Sequence, residues 1–191
     1  MTEPSELDQQ LLVDARTHLN EFIKRVSKKF PKKGLMLEVG AQGRTQVQNS
    51  FKDWDIKSFD LIEEHQPDFI GDLTLYNKDI PDNYFDAVAC LEVLEHTVDP
   101  FAAIKELRRI CKDGGNLLIS APLNFRLHGP LPDCWRFTEY GWKVLLKDFE
   151  IIEMNTMETP SRPLFPVKYN IWAKVDKSKN INPRTMRFER K

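Results

Sequence analysis

The stretch Phe85–His96, FDAVACLEVLEH, runs a mainly apolar segment into two carboxylates and an imidazole. A parallel strand buried on both faces reads as a near-continuous apolar run, and in open α/β sheets the ligand crevice lies at the carboxyl ends of the strands. On that reading Glu92, Glu95 and His96 face a ligand. The competing reading is a surface loop with ordinary solvated charges, so the flanking segments have to decide.

Upstream, LMLEV (Leu35–Val39) is a short buried strand entering the turn GAQGRT, and TQVQNSF reads as a weak helix. Strand, glycine turn, helix is the order of a nucleotide-type site. Further strands are expected near Trp54–Phe59 and at DFIG. At the start, Ser5 and Asp8 of SELD form a capping box for a helix over residues 6–29. Its apolar face is Leu7, Leu11, Ala15, Leu19, Phe22, Ile23, Val26 and Phe30, and Pro31 and Gly34 stop it.

Downstream, Asp99-Pro100 supplies N-cap and first turn for a helix with Ala103, Ile104, Leu107, Ile110 and Cys111 on one face, ended by KDGG. NLLISAP (Asn116–Pro122) is another strand, and the loop LNFRLHGPLPDCWRF is long enough to be functional. Thr138 caps a helix to about Lys147; FEIIEMNTM and YNIWAKV (Tyr169–Val175) are final strands joined by the proline-rich TPSRPLFP. This alternation specifies one α/β domain over residues 1–175, a Rossmann-like doubly wound sheet, mostly parallel with an antiparallel terminal pair. The segment 176–191, with six Lys/Arg against two acids, reads as a mobile solvated end.

The chain's 191 residues suit a single core. Its 28 basic and 29 acidic residues leave a net charge of −1, which excludes recruitment of nucleic acid or membrane by a global field. Three cysteines without close metal-type spacing, and a start (MTEPSELDQQ) neither basic nor apolar, predict a reducing cytoplasm. No run approaches the ~20 apolar residues needed to span a bilayer. The expected partner is a small-molecule or glycan acceptor, with neither nucleic acid nor membrane insertion expected and a homodimer left open.

LEVGAQG resembles the first motif of class I S-adenosylmethionine-dependent methyltransferases, a strand ending in an acid ahead of a glycine-rich loop. Asp60, Asp72 in GDL, FDAVACLEVLEH, DP before a helix and GGNLLISAP extend the resemblance over most of the chain, although Gln42 and Arg44 stand where many relatives keep glycines. The resemblance implies S-adenosylmethionine as cofactor, S-adenosylhomocysteine as product, and Glu38, Gly40, Gly43, Asp60, Leu61, Asp72, Leu73, Leu91 and Glu92 as cofactor-binding residues. Physically, Gly40 and Gly43 let backbone approach the ligand, and Glu38 can order the loop or reach an ammonium through water. Asp60 lies twenty residues after Gly40, the usual interval to an acid gripping ribose hydroxyls. The resemblance gives Asp72 the adenine amine and Leu73 the ring face; taken alone, Asp72 is a turn residue. Arg44 is a candidate partner for the methionine carboxylate. A nicotinamide site is disfavoured because the turn lacks a third glycine three positions beyond the second.

The loop PLNFRLHGPLPDCWRFTEYGWKVLL resembles a pattern of small methyltransferases from bacterial glycan and secondary-metabolite pathways, carried here by Pro122, His128, Pro132, Asp133, Trp135, Arg136, Phe137 and Thr138. Methyl transfer to a hydroxyl needs in-line alignment and removal of a proton. His96 is the first candidate base and His128 the second, with Asp133 orienting a histidine or a sugar hydroxyl and Trp135 offering a flat face to a sugar or to the core. The expected activity is O-methylation of a sugar or other small hydroxyl-bearing acceptor, without a metal. Two alternatives remain. Glu92, Glu95, His96 and His128 resemble the metal site of small-RNA 2′-O-methyltransferases and some quinone O-methyltransferases, and the altered glycine turn would suit a non-catalytic binding module. With no inserted cap domain, the lid is expected from the first helix, the 122–137 loop and the 158–168 connection.

Overall fold

The computed structural model describes residues 3–41, 43 and 45–188. Gln42 and Arg44 lie outside them, and with them the expected contact of Arg44 with a carboxylate. Seven strands form one sheet: β1 Leu35–Val39, β2 Asp55–Asp60, β3 Phe69–Ile70, β4 Phe85–Leu91, β5 Cys111–Pro122, β6 Phe149–Thr159 and β7 Arg162–Val175. Their order is β3-β2-β1-β4-β5-β7-β6, parallel except that β7 runs antiparallel between β5 and β6.

The apolar run that opened the reading is the middle of this sheet. Ala87, Ala89 and Leu91 of β4 pack toward α1 (Glu6–Ser27) and α2 (Gln46–Ser50), while Val88 and Cys90 pack toward α3 (Pro100–Ile110) and α4 (Glu139–Leu145). Both faces are covered, so alternation disappears from the sequence. α1 begins at the expected capping box and seats Leu19, Phe22, Ile23 and Val26 in the core. At ~1.5–3 kcal/mol for each large apolar side chain buried, this helix is a wall of the domain. It ends at Ser27, short of residue 29, and Leu7 is exposed beyond the packed stripe.

Three boundaries differ from expectation for identifiable reasons. Cys111 is the first residue of β5 rather than the last of α3, because Asn83 and Tyr84 donate their N–H groups to the Arg109 and Ile110 carbonyls and satisfy the helix end. Gly114, at φ +71°, then sits within the strand, not at a helix stop. TPSRPLFP is mostly strand: β6 and β7 close over Pro160-Ser161, with Thr159 opposite Arg162. Its prolines are tolerated because register shifts interrupt the ladder there and β5 ends opposite Lys168. α4 ends at Leu145, short of Lys147. Residues 176–188 are not a free end, since Arg108 donates to the carbonyls of Asp176 and Lys179 and Phe188 meets the Tyr140 ring.

Candidate functional site

The glycine turn leaves β1 with Gly40 at φ +64°, and a Cβ there would lie 2.8 Å from Val93 Cγ2. Both facts demand glycine. Gly43, at φ +75°, faces a hollow of about 240 Å³ lined by Thr45, Ser58, Asp60 and His65 among others. Asp60, at the end of β2, accepts hydrogen bonds from Ile62 N at 3.0 Å and His65 Nδ1 at 3.0 Å. Buried Glu38 accepts from Gln48 Nε2, tying the strand end to α2. Asp72 accepts from both the N–H and the hydroxyl of Thr74, the turn role available to it from sequence. Leu73 and Leu91 are buried in the two cores, whereas Leu61 is exposed beside Asp60.

A second, larger cleft of about 460 Å³ opens beyond the ends of β4 and β5, between α1 and the 122–137 loop. Glu92 leaves β4 in the left-handed region, at φ 57°, a conformation an ordinary side chain adopts at a cost. The turn is held: Glu92 N donates to Ser120 O, and Glu92 Oε1 accepts from Ser120 Oγ at 2.6 Å and pairs with Lys168 Nζ at 3.0 Å. Lys168 is only 2% exposed. It was missed because it stands one residue before the segment read as a strand; a lysine abutting an apolar run was the available signal.

The chain then makes one turn of 3₁₀ helix, Leu94–His96, that brings three groups together. Glu95 is fully buried, and among the described residues neither of its carboxylate oxygens has a hydrogen-bond partner. His96 Nε2 and His128 Nε2 lie 3.8 and 3.9 Å from its Oε1. Burial, reinforced by the Glu92 charge, pushes Glu95 well above the usual carboxylate range. Burial also lowers His96, which favours a neutral ring.

Each histidine is oriented through its other nitrogen. His96 Nδ1 lies 3.0 Å from Pro132 O, an acceptor, so Nδ1 carries the proton and Nε2 keeps its lone pair. His128 Nδ1 lies 3.1 Å from Asp133 Oδ2, and His128 N donates to the same oxygen. Burial works against the Asp133 charge, but the Arg136 guanidinium and the His128 N–H outweigh it and hold the carboxyl at about 2. Asp133 thus orients a histidine, as expected, and is not spare for a sugar. Trp135 lies outside the cleft lining, stacks on Phe137 and donates Nε1–H to Thr97 O, contacts that belong to the packing alternative of its two readings. The loop is latched to the histidine turn by Cys134 N and Trp135 N, both donating to Glu95 O.

This sheet order, with a glycine turn after β1, an acid after β2 and a cleft at the ends of β4 and β5, defines the class I architecture of S-adenosylmethionine-dependent methyltransferases. Residues 19–119 match the family described as methyltransferase domain, and the chain belongs to that family. It is 32% identical over 92 residues to an uncharacterized methyltransferase of Schizosaccharomyces pombe, a match covering 37% of this chain and 33% of that protein. It is 53% identical over 36 residues to the ubiquinone biosynthesis O-methyltransferase of Xanthomonas oryzae pv. oryzae, covering 19% of this chain and 15% of that one. The matches thus span a third or less of these curated relatives. Among solved structures, the Haloferax volcanii complex between the Trm112 methyltransferase activator and a methyltransferase gives a TM-score of 0.64 at 12% identity, covering 92% of this chain and 100% of that one. A Methanosarcina mazei S-adenosylmethionine-dependent methyltransferase gives 0.62 at 17% identity, over 79% and 96%. At these identities the structural likeness speaks to fold alone.

Proposed function

We propose that the chain transfers the methyl group of S-adenosylmethionine to a hydroxyl of a small-molecule acceptor, with His96 or His128 as general base. The supporting observation is the pair of Nε2 lone pairs held at the acceptor cleft by Pro132 and Asp133. Asp60 would hold the ribose hydroxyls of the cofactor, and Gly40 and Gly43 would admit its methionine end. The histidine takes the acceptor proton as the oxygen–methyl bond forms and the methyl–sulfur bond breaks, leaving S-adenosylhomocysteine. Removing a general base costs ~10²- to 10⁴-fold in rate. His96→Ala and His128→Ala are to be assayed for folding, cofactor binding and turnover by mass detection of the methylated product. If both variants stay folded, bind cofactor and turn over near normally, the base mechanism is wrong.

The unpartnered Glu95 carboxylate favours a second reading. Glu95, His96 and His128 offer ligand atoms within 4.8 Å of one another, a carboxylate and two imidazoles of the kind that hold a divalent transition-metal ion. Glu92 is not among the described residues whose ligand atoms converge; its Oε1 is engaged by Lys168 and Ser120. A bound cation would acidify the acceptor hydroxyl, and the second nitrogens would keep the orienting bonds described above. Activity lost on chelation and restored by Mg²⁺ or Mn²⁺ would establish this reading; indifference to both removes it.

A further inference from the structure

We propose that the acceptor carries an anionic group, a carboxylate or its equivalent, which Arg16 receives in the cleft. This deepens the reading of the cleft as the acceptor site and rests on it.

Leu12, Ala15, Arg16, Leu19 and Asn20 of α1 all line the cleft. Their spacing of three and four residues makes them one helical stripe, so the exposed Arg16 sits on the face turned to the cleft. Around the opening Glu92 pairs with Lys168, Asp133 with Arg136, and Asp8 with Arg126. Among the described residues, no carboxylate lies within ion-pair distance of Arg16. Among the described residues this guanidinium therefore has no counter-charge, at a cleft that also presents an apolar wall of Leu12, Leu19, Pro122, Phe125 and Val167. A guanidinium presents a planar fork that matches a carboxylate or phosphate in two hydrogen bonds. The occupant that suits this lining is a hydroxy acid with an apolar body.

The test is equilibrium binding to the full chain, with S-adenosylhomocysteine present, of para-hydroxyphenylacetate and ω-hydroxydecanoate, each against its uncharged amide. We expect the acid of at least one pair to bind about five- to tenfold more tightly than its amide at low ionic strength. Arg16→Gln should erase that preference while leaving amide binding, cofactor binding and Tm unchanged. Arg16→Lys, which keeps the charge and loses the fork, should retain part of it. Equal binding of acid and amide, a preference that survives Arg16→Gln, or no binding by any of the four compounds overturns the proposal. Methyl transfer is not the readout, so a failed base mechanism leaves an acid preference standing, and a failed preference leaves the histidine rate losses standing.

Discussion

The two hollows at the carboxyl edge of the sheet are built in different ways. The smaller hollow, proposed for the cofactor and lined by Ala41, Gly43, Asp60 and His65 among others, uses residues within about one strand–turn–helix–strand unit, and its polar groups meet partners close in sequence. The larger cleft, proposed for the acceptor, draws on α1, the end of β4, the 122–137 loop and β7, and its polar groups meet partners across long separations: Glu92 with Lys168, and His128 with the buried Glu95 behind it. A locally built site loses one interaction when one residue changes. A site assembled from distant segments leaves a buried group behind when its partner goes, and the penalty is correspondingly larger.

Asp133→Ala should therefore have the largest effect on stability. It removes the oxygens that hold Arg136 and His128, and its side chain is 1% exposed. Breaking a buried pair by deleting one partner costs ~3–5 kcal/mol, and the partial exposure of Arg136 places the expectation at the lower end. Chemical denaturation should show that loss at neutral pH, and turnover should fall as well because His128 is no longer oriented. The wild type should lose the same contribution in acid: a carboxyl held at about 2 stabilises above its ordinary range, and that stability drains away as pH falls from ~4 toward 2. A near-neutral Asp133→Ala would mean that the loop is held by its backbone bonds to Glu95 alone.

The same contrast explains what could be read in advance. β1 and β4 match the sequence segments residue for residue, and Ser5, Asp99 and Thr138 cap the helices they were expected to cap. These are local features, decided by patterning and side-chain chemistry over a few residues. His96, His128 and Asp133 were named individually, but no local pattern says that Glu95 would be fully buried between the two rings, or that Lys168 would cross from β7 to hold Glu92. The reach of Lys168 comes from β7 threading antiparallel between β5 and β6, and the burial of Glu95 from the 122–137 loop latching over the 94–96 turn. Cys111 was misplaced for a related reason: the helix end is satisfied by residues 83 and 84, far upstream.

In the cofactor half, Asp60→Ala should weaken S-adenosylmethionine binding by about ten- to a hundredfold, or ~1.5–3 kcal/mol, the usual worth of hydrogen bonds to a charged group. Calorimetry provides the measurement, and Tm should move little, because the side chain's visible partners, Ile62 N and the ring of His65, lie within five residues of it. Normal binding by Asp60→Ala would remove the ribose assignment and with it the claim that this half is the cofactor site.

Glu95→Gln sharpens the comparison from the acceptor side. A carboxyl whose folded-state pKa is raised stabilises the fold below its unfolded value and loses that contribution as pH rises toward the folded one, so wild-type stability should decline between weakly acidic and alkaline pH. The amide has no such titration. Glu95→Gln should flatten the slope and gain ~1–3 kcal/mol over wild type on the alkaline side, the order of an unmade buried hydrogen-bonding group. If a cation occupies the three-residue set, the result reverses: with metal present the wild type would be the more stable protein, and a chelator would abolish its advantage.

The smallest effect is expected at Asp72, where a turn role and a ligand role overlap. Its Oδ1 accepts both bonds from Thr74, which leaves Oδ2 as the oxygen available to an adenine amine. Asp72→Asn keeps the turn acceptor but replaces the second oxygen with an amide that donates, so the turn survives while the ligand contact becomes donor against donor. Losing one such bond at a partly exposed site costs ~0.5–1.5 kcal/mol, a factor of about two to ten in affinity. The expected result is weaker S-adenosylmethionine binding with Tm unchanged. Asp72→Ala should lower both, because the amide and hydroxyl of Thr74 then lose their acceptor. If Asp72→Asn binds cofactor as well as wild type and only Asp72→Ala is impaired, Asp72 is a turn residue and nothing more, and adenine recognition passes to the backbone around it.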